Sequence, residues 1–200
     1  MKKLMILAVM MLSAMTANAQ QEVGTWSVTP KVGINLAKVT DADDASMKVG
    51  LVAGADLNYQ IAEKFAISAG VFYSMQGAKE KVKVLGETIN YKYNLDYINI
   101  PILANFYVIP GLAIKAGLQP AFNVKHKVKA ESHGNSTETD IDKFKGFDLA
   151  IPIGASYEFG DFVVDARYNL GLTKLWDYEG SSSKNSVIQF TFGYKIPFSK

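Results

Sequence analysis

Two histidines set among acids are the first place to look for chemistry in this chain. His126 and His133 lie close in sequence to Glu131, Asp140 and Asp142, with Ser136 nearby. Imidazole and carboxylate together could ligate a metal ion or serve as general acid and base. The spacing matches no dense ligand motif, and Ser136 has neither a nucleophile-elbow sequence nor an oxyanion motif around it. Polar loops collect such residues without catalytic purpose, so no catalytic residue, metal ligand or cofactor is expected. "DADD" at 41–44 has the acids of a calcium loop but lacks its glycine and terminal glutamate. "NST" at 135–137 fits a glycosylation pattern that belongs to a different secretory system. Cys is absent, which excludes disulfides, thiolate catalysis and Cys-ligated metals. Trp176 and Tyr178, in a late polar stretch, either anchor a partner or top a band of membrane-facing aromatics.

The N-terminus reads as an address. Lys2 and Lys3 precede an apolar run, and "ANA" at 17–19 provides a small-residue cleavage site. Residues 1–19 are therefore expected to be a signal peptide and residues 20–200 the exported domain. Removing that segment takes two lysines and no acid from 21 basic and 19 acidic residues, leaving 19 against 19. A balanced chain gives no electrostatic reason to bind nucleic acid. What remains suits one domain.

The elements that must carry these residues are strands. "FVVDARYNL" (162–170) puts Phe162, Val164, Ala166, Tyr168 and Leu170 on one face and Val163, Asp165, Arg167 and Asn169 on the other. "SVIQFTFGYKIPF" (186–198) alternates in the same way, with Ile188, Phe190, Phe192, Tyr194, Ile196 and Phe198 on the apolar face. Period two over such lengths marks a strand with one apolar side. Eight such segments are expected, near 26–36, 48–59, 65–77, 94–108, 112–127, 145–159, 162–172 and 185–198. Tight connections at 60–64, 109–111 and 160–161 alternate with long polar ones near 37–47, 78–93, 128–144 and 173–184. That is an up-and-down antiparallel meander, which closes into a barrel to remove its edges.

A soluble barrel turns its apolar side inward, and a membrane barrel turns it outward. Three features choose the membrane. The polar face is rich in small residues, among them Gly33, Gly54, Ser68, Gly70, Ser74, Gly117, Gly154, Ser156 and Gly193. A solvated sheet would avoid these glycines, but a narrow eight-stranded lumen needs them. Aromatics on the apolar face form two bands. Trp26, Tyr59, Phe65, Phe106, Tyr157, Phe159, Phe162 and Phe198 lie at the short-turn ends, and Tyr73, Phe122, Phe147 and Tyr168 lie toward the long loops. Bands bracketing an aliphatic zone are the girdles of a membrane barrel. The signal segment delivers the chain to the envelope. The fold expected is all-β: an eight-stranded antiparallel up-and-down transmembrane β-barrel of the bacterial outer membrane, in contact with lipid and monomeric.

"KVGINLAKV" (31–39), "GLVAGADLNYQIAEKFAISAGVFYSMQGAK" (50–79), "LDYINIPILANFYV" (95–108) and "GLAIKAGLQPAF" (111–122) resemble the small outer-membrane β-barrel domains often called PorT-like. Phe198 near the C-terminus is similar to the terminal assembly signal of such barrels, although Ser199 and Lys200 follow it. The resemblance implies no catalytic residue, and it allows a protein partner in a secretion or transport assembly.

The most specific constellation is the set of charges with inward parity. Lys31, Lys115, Arg167 and Lys195 stand against Asp56, Asp148, Glu158 and Asp165, four of each sign. A pore selective for one ion sign would show a surplus. A neutral set points to pairs filling the lumen, since isolated buried charges are costly; separate hydration of each charge is the alternative. Aligning Phe162 with Phe198 pairs Asp165 with Lys195, and the same logic pairs Lys31 with Asp56. The expected role is that of a structural or interaction protein with a plugged lumen, working through long external loops. A secretion-assembly component and a barrel enzyme are the alternatives, the enzyme requiring chemistry at His126 and His133.

Overall fold

The computed structural model describes residues 22–40, 46–84, 87–132, 135–141, 145–176 and 182–199. The signal segment, the 41–44 acids, His133, Asp142 and Tyr178 lie outside them. The chain forms one sheet of eleven strands. In chain order these are β1 (Trp26–Val39), β2 (Ser46–Ala62), β3 (Phe65–Val84), β4 (Glu87–Asn99), β5 (Ile102–Ile109), β6 (Leu112–Ser132), β7 (Asn135–Asp140), β8 (Phe147–Phe159), β9 (Phe162–Gly171), β10 (Asn185–Tyr194) and β11 (Ile196–Ser199). All pairings are antiparallel, and β10 returns to pair with β1, so the sheet closes on itself.

Eleven strands make eight staves. Pro101 has no N–H to donate, and the ladder breaks there between β4 and β5. Hydrogen bonds from the Ile100 N–H to Pro120 (2.8 Å) and from the Gly70 N–H to Pro101 (2.9 Å) carry the chain across the gap. β4 and β5 therefore act as one stave, as do β10 and β11 on either side of Lys195. Among the described residues β7 pairs with β6 alone, as an outlying hairpin arm. The eight-stranded meander expected from alternation is the architecture found.

The long connections are shorter than expected. Much of 78–93 and 128–144 continues as strand, in the far ends of β3, β4, β6 and β7. Period two persists there through Tyr91, Tyr93 and Leu95, with Lys92 and Asn94 between them, and a polar alternation still hydrogen-bonds as a ladder.

Through the barrel wall the apolar parity faces outward, while above it β4 turns Leu95 and Tyr97 inward. On β9, Phe162, Val164, Tyr168 and Leu170 are exposed while Val163, Asp165, Arg167 and Asn169 are buried. On β4 and β5, Ile102 and Phe106 are exposed, and Tyr97, Asn99, Leu103 and Asn105 are buried. The buried set is thus mostly polar and the exposed set mostly apolar, the inverse of a soluble core.

Small residues make room inside. A Cβ on Gly54 would lie 2.1 Å from the Val71 carbonyl oxygen and 2.6 Å from the Phe72 ring, and one on Gly70 would lie 2.7 Å from the same ring. The two glycines form the hollow that holds the fully buried Phe72. Gly54→Ala is therefore expected to destabilise the barrel by about 1–3 kcal/mol, as overpacking does. The readout is a lower temperature of conversion between the folded and unfolded bands on a detergent gel.

Candidate functional site

The buried charges occupy three levels of the lumen. At the middle, Asp165 on β9 accepts a hydrogen bond from Lys115 on β6 (2.9 Å) and a longer one from Lys31 on β1 (3.4 Å). The Arg167 Nε lies 2.9 Å from the other Asp165 oxygen, and Lys31 also reaches Asp56 on β2 at 2.7 Å. β1 is separated from β9 by β10, and β6 from β9 by β8, so these bonds cross the lumen rather than run along a ladder. Arg167 stacks its guanidinium 5.6 Å from the centre of the Phe72 ring, a cation–π contact strengthened by exclusion of water. The glycine hollow holds Phe72, Phe72 carries Arg167, and Arg167 meets Asp165.

At the short-turn end, Lys195 donates to Glu158, and the Tyr107 hydroxyl donates to the second Glu158 oxygen at 2.8 Å. Ala66, Tyr107 and Ala113 form an apolar cluster at the same end. At the long-loop end, Asp148 accepts from Asn185 (2.8 Å) and from the Thr173 hydroxyl, and Asn185 also donates to the Tyr97 hydroxyl (3.1 Å). Above this level Val39, Ala78, Leu95, Tyr97, Ala121 and Leu175 form an apolar plug, with Tyr93, Ile141 and Trp176 against it.

All eight inward charges are buried. Their balance is not uniform. The middle level holds three cations and two carboxylates, the turn end one of each, and the loop end Asp148 with neutral donors. A one-to-one pairing of the eight is therefore replaced by a hub and two smaller groups.

The Asp165–Lys195 pairing is not formed. β10 pairs with β9 in the register Tyr194↔Phe162 and Thr191↔Asp165, four residues away from an alignment of Phe198 with Phe162. The ladder with β9 ends at Tyr194, and β11 continues against β1, so Phe198 runs past the turn instead of facing Phe162. Lys195 is thereby set toward Glu158. The expected Lys31–Asp56 contact is present, on adjacent staves.

The aromatics lie on the outer face. Trp26 and Tyr59 meet at 4.6 Å between ring centres, Phe159 and Phe162 at 5.7 Å, and Tyr157 and Phe159 at 6.4 Å, all at the short-turn end. Phe65 pairs across the ladder with Phe106, and Phe198 is exposed. Toward the long loops, Tyr73, Ile98, Phe122 and Phe147 stand in one cross-strand row, with Phe122 and Phe147 rings 5.6 Å apart. Tyr168 is exposed on β9. Phe190 and Phe192 also face outward, so the zone between the bands is not purely aliphatic.

Trp176 does not top the outer aromatic band. It packs edge-on to Tyr93 at 6.5 Å within the plug, on the inner side of the wall. Sequence parity cannot place a residue beyond the end of a stave. Parity gave Tyr97 as inward, but it did not single out Phe72, Tyr107 or Asn185 as members of the buried network. Inward parity on Phe72 and Tyr107 was the available signal. Among the loop candidates, the His126 ring Nδ1 lies 2.9 Å from the Asn123 side-chain oxygen, and Ser136 and Asp140 are exposed on β7. No group of three or more His, Asp or Glu close enough to hold a metal ion occurs among the described residues.

A polar, filled interior with an apolar exterior and a closed strand ring is the geometry of a membrane barrel. A family model described as outer membrane protein beta-barrel domain matches residues 18–177. The chain belongs to that family. It is a protein of the bacterial outer membrane, crossing it as an antiparallel β-barrel. The barrel is similar to Ail, the attachment invasion locus protein of Yersinia pestis, with 15% identity over 88% of this chain and 100% of that one and a TM-score of 0.49. It is also similar to OprG of Pseudomonas aeruginosa, with 12% identity over 89% and 98% and a TM-score of 0.49. Neisserial surface protein A shows 14% identity over 86% and 97%, with a TM-score of 0.47. No curated protein matches the sequence.

Removing one partner of a buried pair leaves an uncompensated charge. Lys195→Met is expected to cost about 3–5 kcal/mol, less where water enters. Combining it with Glu158→Leu recovers much of that loss, whereas combining it with Asp165→Leu adds a second loss, because those two residues sit in different groups. Urea unfolding in detergent micelles of wild type, the three single variants and the two double variants measures both couplings.

Proposed function

We propose that the protein is a non-enzymatic barrel with a closed lumen, serving as a structural or interaction protein of the envelope through its loop-end strands. The observation that carries this reading is the cross-lumen hub at Asp165, with carboxylates and cations from four staves drawn into mutual contact. Charges drawn together at the axis occupy the path that a passing ion would need. The aromatic bands would seat the barrel at the two membrane interfaces, and cleavage after Ala19 would release it as a mature, monomeric domain. The long connections would lie outside the cell and the three short turns in the periplasm, as loop asymmetry in bacterial barrels runs that way.

A second reading, membership of a secretion or transport assembly as in PorT-like domains, is favoured by β7. Its only pairing among the described residues is with β6, and an edge strand can accept a strand from a partner. Crosslinking in intact cells separates the two: a defined envelope protein captured at β7 supports the assembly. A barrel enzyme remains the least supported class, and His126→Ala with loss of a measured activity would be its mark.

Wild-type protein in planar bilayers is expected to give no steady ion conductance, and a stable open channel overturns the closed lumen. The orientation is read separately with Ser182→Cys and Glu63→Cys, each the sole thiol of its variant. An impermeant thiol reagent on intact cells should label position 182, and preferential labelling at position 63 reverses the topology.

A further inference from the structure

The far ends of β3, β4, β6 and β7 form a sheet that continues above the Tyr73–Ile98–Phe122–Phe147 row. Across it Lys79 stands directly opposite Lys92, Lys92 opposite Lys129, and Lys129 opposite Glu138. The adjoining cross-strand row holds Ala78, Tyr93, Val128 and Thr139. Ala78 and Tyr93 pack into the plug at the barrel mouth, so the lysine row lies on the face turned away from it. Lower on that face, Lys127 opposes Asn94 and Asp140, and Lys125 opposes Asp96. Asp96 accepts a hydrogen bond from the hydroxyl of the girdle residue Tyr73 at 2.7 Å, which sets this face directly above the lipid-facing wall.

Three lysines abreast on neighbouring strands repel one another and weaken the sheet. Among the described side chains of these four strands, five lysines share this face with Asp96, Glu138 and Asp140. Their field is felt locally: a hydrogen bond from Lys127, reinforced by Lys125 and Lys129, holds the exposed Glu138 carboxyl below its usual range. Such a surface gains from an anionic ligand that bridges the strands.

Height selects the ligand. Lys125 is three residues beyond Phe122 and Lys129 seven, or roughly 10 and 23 Å of strand at about 3.3 Å per residue. A tilt of about 40° shortens those rises by about a quarter. The polar layer of a bilayer adds only roughly 5–8 Å beyond the hydrocarbon. Lys125 stands near ordinary headgroups, but the Lys79–Lys92–Lys129 row rises past them.

We propose that this face binds the phosphates of a glycolipid in the outer leaflet, whose phosphorylated sugars extend to the height of the lysine row. The site lies on the lipid-facing flank of the ribbon and needs no opening of the lumen. It rests on the orientation proposed above, with the ribbon outside.

The test uses the full chain reconstituted in phosphatidylcholine vesicles containing, on both leaflets, either a glycolipid whose sugars beyond the acylated diglucosamine carry phosphates or the same glycolipid with those sugar phosphates removed. Failure then counts against the lysine face and not against the orientation, which the thiol labelling reads alone. Wild type should retain the phosphorylated lipid through solubilisation and gel filtration, and lose it as salt rises. Each lysine near an anionic surface contributes about a factor of five. The variant K79Q/K92Q/K129Q, folded by its gel migration, should bind about a hundredfold more weakly, and Lys79→Gln alone, which serves if the triple variant does not fold, about fivefold. Equal retention of the two glycolipids, or variants that bind as wild type, overturns the proposal. So does a soluble sulfated polysaccharide bound as tightly with no glycolipid present, since that would make the face a receptor for a free polyanion.

Discussion

A carboxylate taken out of water must be met by cations and donors, and Asp165 is where this barrel meets that demand. Lys31, Lys115 and Arg167 converge on it from three staves, and Lys31 extends the contact to Asp56 on a fourth. Each of these ions would be costly alone in a narrow lumen. Together they tie β1, β2, β6 and β9 across the axis, supplementing ladder bonds that act only between neighbours.

The space for this hub exists because of what surrounds it. Gly54 and Gly70 give up their side-chain volume to Phe72, whose ring faces the Arg167 guanidinium. The ends are finished differently. Tyr107, Glu158 and Lys195 close the turn end, while Asp148 and Asn185 lie beneath an apolar plug at the loop end. An apolar cap over a polar column limits water from the mouth, and so preserves the low dielectric on which the ion contacts depend.

Much of the wall was legible beforehand. Alternation such as that of 162–170 sets which residues face outward, because successive side chains of a strand point to opposite sides and a closed sheet has only an inside and an outside. Two features escaped. The polar alternation at 79–84 and 87–94 carries a weak strand signal, with charged residues between tyrosines, yet it continues the sheet beyond the barrel mouth. The partner of Lys195 was misplaced because an alignment of terminal aromatics assumed an unbroken last strand, whereas the ladder with β9 ends at Tyr194.

The sequence by itself determined the antiparallel meander, its inward and outward faces, and the inward parity of eight charges that the structure buries, since each follows from a period of two along one strand. The tertiary structure decided which charges meet. Contacts across a lumen join staves that are not neighbours in the ring, and their geometry depends on the accumulated register and on the breaks at Pro101 and Lys195. A shift of two residues in register preserves every side chain's face but changes every partner. For that reason parity could place Asp165 and its strand neighbour Arg167 inside the barrel, and only the closed ring could bring Lys31 and Lys115 to them.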